Sequence, residues 1–180
     1  MQLKKIIANV ATILGLSDVA ELTEGQATDT ELMANTNYNI LFRCANLVAA
    51  NVAGNYRDCI ATQQFTVTDN KIEFSQFGNN FLKATEIKCN GTPADFDIYI
   101  NFLKVPNGTV NVTYAYIPVF ESGDDETRNV LADGAFTYGI LAEYSFISGM
   151  FNEAKIYNAK FEELLFGMSK TGRFGKMPSA

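Results

Sequence analysis

The 180-residue chain contains no histidine. Without an imidazole, Ser-His-Asp and Cys-His nucleophilic sites are excluded, and so are most transition-metal sites. Cysteine is scarce: Cys44, Cys59 and Cys89, an odd number at wide spacing. Neither a disulfide framework nor a paired-cysteine zinc site fits that pattern, and reduced thiols of a cytosolic protein are the simpler reading. Positive charge is also short, with 14 Lys and Arg against 20 Asp and Glu and a net charge of −6. A broad nucleic-acid-binding face needs clustered cations and is not expected. No apolar run approaches the ~18 residues of a membrane span. No glycine-rich phosphate loop is present either, because "GMSKTG" (167–172) lacks the spacing and follows a helical pattern instead of preceding one.

What is there reads as a globular chain. The hydrophobic fraction is 47% and the charged fraction 19%, which suits one domain with a core that needs no metal or disulfide staple. Charge is uneven. Residues 167–180 carry Lys170, Arg173 and Lys176 and no acid; taking that +3 out of the total of −6 leaves −9 on residues 1–166. An acidic body therefore precedes a short basic tail, expected to be flexible.

The spacing predicts about four helices. Leu3, Ile6, Ile7, Val10, Ile13 and Leu14 form one stripe at helical period, so residues about 2–14 read as an amphipathic helix and not as a signal peptide. Gly15 stands where a left-handed C-terminal cap belongs. Residues 17–29 are polar and read as a loop. A second helix is expected over about 31–54, with Thr30 as N-cap and Leu41, Cys44, Ala45, Val48 and Val52 on its inner face. A third is expected over about 124–148. Asp124, Asp125 and Glu126 would sit at its dipole-favoured front, and Gly134, Gly139 and Ala142 would let a partner element approach closely. A fourth covers about 150–166.

Residues 58–118 alternate apolar and polar and read as one small antiparallel sheet between helices 2 and 3. Turn signals punctuate it at Asp69-Asn70, Asn90-Gly91 and Asn107-Gly108. The fold class expected is thus α+β: a helical bundle with a β insertion in a single domain of residues 1–166, followed by the tail.

Candidate chemistry is thin. Asp124, Asp125 and Glu126 could supply an acid and base pair for a hydrolase, but favourable charge in a helix's first turn is the plainer reading. Asp95 and Asp97 share one strand face with too few neighbours for calcium. No catalytic, metal or cofactor site is expected, and no enzyme. Three Asn-x-Thr sequences, at Asn90, Asn107 and Asn111, read as turn and strand residues without a secretory signal. A secreted or surface ligand-binding module using the β portion is the alternative function. Aromatics crowd residues 136–166. Tyr138, Tyr144, Phe151, Tyr157 and Phe161 are candidates for helical packing or a subunit interface.

The run "VLADGAFTYGILAEYSFISGMFNEAKIYNAKFEELL" (130–165) resembles the closing helical segment of tailed-bacteriophage head-to-tail adaptor proteins. Tyr138-Gly139, Ala142-Glu143-Tyr144, Ile147-Ser148-Gly149 and the set Tyr157, Lys160 and Phe161 carry the likeness, with Tyr157 and Lys160 where that family often has Trp and Arg. An early helix ending "LGLSD", then "LFRCANLVAANVAGNY", then the stretch from "FTVTDNKIEFSQF" to "VNVTYAYIP", follow the family's layout. The resemblance implies a structural protein of the virion neck, made in the host bacterial cytoplasm. It implies a dodecameric ring beneath the portal, which extends the DNA channel without sequence-specific binding and offers a surface to a stopper or tail protein. It also implies that the tail, with Lys170, Arg173, Phe174 and Lys176, embraces the portal. No membrane is involved.

Overall fold

The computed structural model describes residues 1–25, 27–127 and 130–173, with side chains up to Gly167. The chain divides into a helical unit, residues 1–51 with those from Phe120 onward, and a β unit, Val52–Val119. The described residues form six helices and two antiparallel sheets of four and three strands. This corrects the expected bundle of about four helices carrying one inserted sheet: helices precede and follow the strands, and the strands divide between two sheets.

In the helical unit, α1 (Leu3–Leu14) follows its apolar stripe, with Leu3, Ile6, Ile7 and Val10 wholly buried. Each such side chain contributes roughly 1.5–3 kcal/mol over an exposed one. Gly15 ends the helix in the left-handed region, at φ 72°, where a Cβ would be strained. The stretch read as a loop contains α2 (Ser17–Glu24), whose one buried residue is Val19. The expected second helix is two. Thr28, not Thr30, caps α3 (Asp29–Ala34) in a reciprocal capping box with Glu31. Asn35 then interrupts the helix. Its side chain accepts the Tyr38 N–H at 2.9 Å, which starts α4 (Thr36–Asn55). The polar start "MANTNYN" is therefore a cap between two helices.

The third expected helix begins late, at α5 (Asp133–Ile147). Asp124, Asp125 and Glu126 precede no helix turn of their own. Their segment closes the start of α1: Leu3 N–H donates to the Asp125 carbonyl at 2.9 Å and Lys4 N–H to that of Gly123 at 2.7 Å. Two first-turn donors that a helix cannot satisfy internally are thus satisfied by distant backbone. Asn46 of α4 clamps Phe120 through both its amide atoms, at 2.8 and 3.3 Å. The last helix, α6 (Phe151–Arg173), runs through Gly167, past its expected end. Residues 167–173 are helical backbone.

In the β unit, β1 (Cys59–Val67) pairs along its whole length with β7 (Gly108–Ile117). β7 also pairs with β3 (Asn80–Cys89), which carries two irregularities of register and continues to β4 (Thr92–Pro93). The second sheet has the order β2 (Lys71–Glu73), β6 (Phe102–Lys104), β5 (Asp97–Ile98). Of the three turn signals, only Asn90-Gly91 closes a two-residue hairpin. Both residues have positive φ, 49° and 84°, and Cys89 pairs with Thr92 across them. The turns at Asn70 and Asn107-Gly108 instead carry the chain from one sheet to the other. An aromatic cluster fills the interior: Phe77 packs on Phe65, Phe81 and Tyr114 at 4.6–4.9 Å between ring centres.

Candidate functional site

The α5–α6 hairpin holds all five aromatics singled out as packing or interface residues. α5 is buried on most sides because its small residues admit neighbours. A Cβ built on Gly139 would lie 2.8 Å from Val48 Cγ1 and 3.1 Å from Phe161 Cε2. α4 and α6 both close on that one glycine. Phe161, 3% exposed, is a core residue and not available to a partner.

The other four are at least partly open to solvent. Tyr138 and Tyr157 are half-buried, with rings 6.4 Å apart. Phe151 is 57% exposed and meets exposed Phe146 edge to face at 5.8 Å. The hairpin turns at Gly149, φ 77°, with Ser148 N–H donating to the Tyr144 carbonyl and Met150 N–H to that of Ser145. This tight reversal leaves Phe146 and Phe151 together on the outside of the corner. Ile147 beside them is also exposed. Large apolar side chains clustered in the open mark a contact surface more often than a scattered one would.

A cleft of about 450 Å³ lies between the end of α1 and the α5–α6 turn. Ile13, Leu14 and Met150 give it apolar walls, Tyr144 and Tyr157 aromatic ones, and Glu153 a carboxylate. Ser145 lines it too. Its hydroxyl is fully buried and meets no hydrogen-bond partner among the described residues. Farther along α6, Lys160 pairs with Glu163 at 2.9 Å, which raises the lysine's pKa.

The acids considered for catalysis are engaged in structure. Asp124 binds Lys4 at 2.5 Å, and Asp125 accepts the N–H groups of Glu121 and Ser122 at 2.8 and 3.0 Å. Glu126 lies 3.6 Å from the terminal amine of Met1. Asp95 and Asp97 line a separate shallow cleft of about 260 Å³ with Lys104. Among the described residues, no group of three or more Cys, Asp or Glu side chains could hold a metal ion. Burial, with Asp29 and Asp124 near it, pushes the Tyr38 hydroxyl up to about 12. Burial and nearby Glu143 push the Cys44 thiol up to about 12, so it is not a reactive thiolate at neutral pH.

The side chains of Lys170 and Arg173, and the whole of Phe174 and Lys176, lie outside the described residues. What sequence reasoning missed is the cleft itself. Ile13 and Leu14 read as the end of an apolar stripe, and nothing local showed that Ser145 would be left without a partner. No protein-family model matches the chain, and no curated protein matches it significantly.

Proposed function

We propose that the chain is a structural, non-enzymatic subunit of a bacteriophage neck: a head-to-tail adaptor. It assembles as a dodecameric ring beneath the portal, extends the DNA channel and presents a docking surface to a stopper or tail protein. The observation that carries this reading is the exposed aromatic corner of α5 and α6, Phe146 with Phe151, within the stretch that carries the family resemblance. Such a corner suits burial against another subunit.

Charge supports the same reading. A body of net −9 over residues 1–166 lines a channel through which DNA slides, because like charge disfavours adhesion of phosphates. The basic C-terminal segment supplies cationic and aromatic anchors for the portal. The test is electron microscopy of the purified chain mixed with its cognate portal. Rings on the portal are expected, and failure to co-assemble in any stoichiometry would overturn the proposal. Removal of residues 167–180 is expected to weaken portal binding while leaving the chain folded; equal affinity with and without them would remove the tail from the docking role.

A further inference from the structure

We infer that the cleft between α1 and the α5–α6 turn is a receptor for the C-terminal segment of a second copy of this chain, with Phe174 as its anchor. Three features of the cleft point to such an occupant. Its walls are apolar and aromatic, from Ile13, Leu14, Met150, Tyr144 and Tyr157, which suits a phenyl ring. Its carboxylate, Glu153, has no cationic partner among the described residues, and Phe174 is flanked by Arg173 and Lys176 with no acid nearby. Its buried Ser145 hydroxyl has no hydrogen-bond partner among the described residues, and an entering peptide backbone supplies one.

Geometry excludes the chain's own segment. Glu153 and Arg173 both lie on α6, a single helix over Phe151–Arg173. At about 1.5 Å per residue they stand ~30 Å apart. Phe174 follows directly on Arg173, one residue and at most ~3.6 Å farther along the chain. It cannot return to its own cleft, so the contact forms between copies. A cleft at one end of α6 and its ligand at the other make a head-to-tail contact, the kind that closes rings. This goes beyond portal docking, because it needs only copies of this chain. The tail that reaches a portal leaves its neighbour's cleft, so portal and neighbour compete for one segment.

The experiment is photo-cross-linking of the full-length chain, without portal, with Phe174 replaced by photoreactive benzoyl-phenylalanine. Isotopically heavy and light chains are mixed and the products mapped by mass spectrometry. Heavy–light cross-links to the peptides holding Ile13–Leu14 or Met150–Tyr157 are expected; cross-links elsewhere, or none between copies, would overturn the inference whatever the portal result. Glu153→Lys is expected to lower the yield about fivefold. Arg173→Glu with Lys176→Glu in the photoreactive chain should restore it. An unchanged yield in Glu153→Lys counts against the contact. Ser145→Ala gives a separate reading: the melt of dilute chain rises as an orphan hydroxyl is removed, while the cross-link yield falls. A yield that rises with the melt would also sink the idea.

Discussion

The helical unit and the β unit are stabilised by opposite means. The helical unit depends on the absence of atoms at a few points. Gly139 admits Val48 and Phe161, and Gly123 lies so close to Tyr38 Oη that an added Cβ would be 2.6 Å from it. The β unit depends on bulk, a run of phenylalanines around Phe77 and Tyr114. One unit should therefore be sensitive to an added methyl group, the other to a lost ring.

Phe77→Ala tests the second half of that contrast and carries the largest expected effect, a loss of about 3–5 kcal/mol. Hydrogen exchange is the measurement. Faster exchange confined to residues 52–119 would establish the units as separate cooperative elements; uniform loss of protection would merge them. Gly139→Ala tests the first half. Overpacking costs about 1–3 kcal/mol, and alanine recovers roughly 1 kcal/mol of helix propensity, so a net loss of up to about 2 kcal/mol is expected in urea denaturation. A gain would show that Val48 and Phe161 can give way.

Tyr38→Phe acts in the opposite direction. The Tyr38 hydroxyl is buried without a partner among the described residues, so its removal should stabilise by about 1 kcal/mol. The pH dependence checks this. The folded-state pKa is raised to about 12, above the ordinary value near 10. Above pH ~10 the unfolded chain gives up the proton and the folded chain keeps it, so stability falls with rising pH. The variant should lose that part of the alkaline decline.

The smallest effect belongs to Asp18. Hydrogen bonds from Asn35 and Asn37 lower its pKa. A depressed carboxylate stabilises the fold above its unfolded value, near 4, and loses that contribution as pH falls through the folded one. NMR titration should show a midpoint below 3.8, moving up in Asn35→Ala. No movement would mean that the two amides do not hold the carboxylate in solution.

Local pattern carried the sequence reading as far as local physics reaches. The α1 stripe and the Gly15 cap were legible because their partners lie within four residues. The inner face of α4 was legible for the same reason: Leu41, Cys44, Ala45, Val48 and Val52 are all buried. α2 was not, because one buried valine leaves no periodic signal. The acids at 124–126 looked like a helix front, yet Asp124 pairs with Lys4 and Glu126 with Met1 at the far end of the chain, while Asp125 holds the N–H groups of Glu121 and Ser122. The turns at Asn70 and Asn107-Gly108 were placed where the chain does turn, but the strands beside them pair elsewhere. At the candidate site the aromatics were legible as a group. Which of them faces inward was not, since Phe161 is buried by Gly139 from another helix, a contact that no spacing within α6 reveals.

The seating of α1 on the carbonyls of Gly123 and Asp125 has a consequence for biosynthesis. The first helix leaves the ribosome long before the residues that complete its opening turn have been made. Residues 52–119 are contiguous and emerge in between, so they can acquire their sheets first. Nascent chains arrested so that residue 119 has cleared the ribosome but Gly123 and Asp125 have not should then resist protease across that stretch while their first fifty residues are still cleaved.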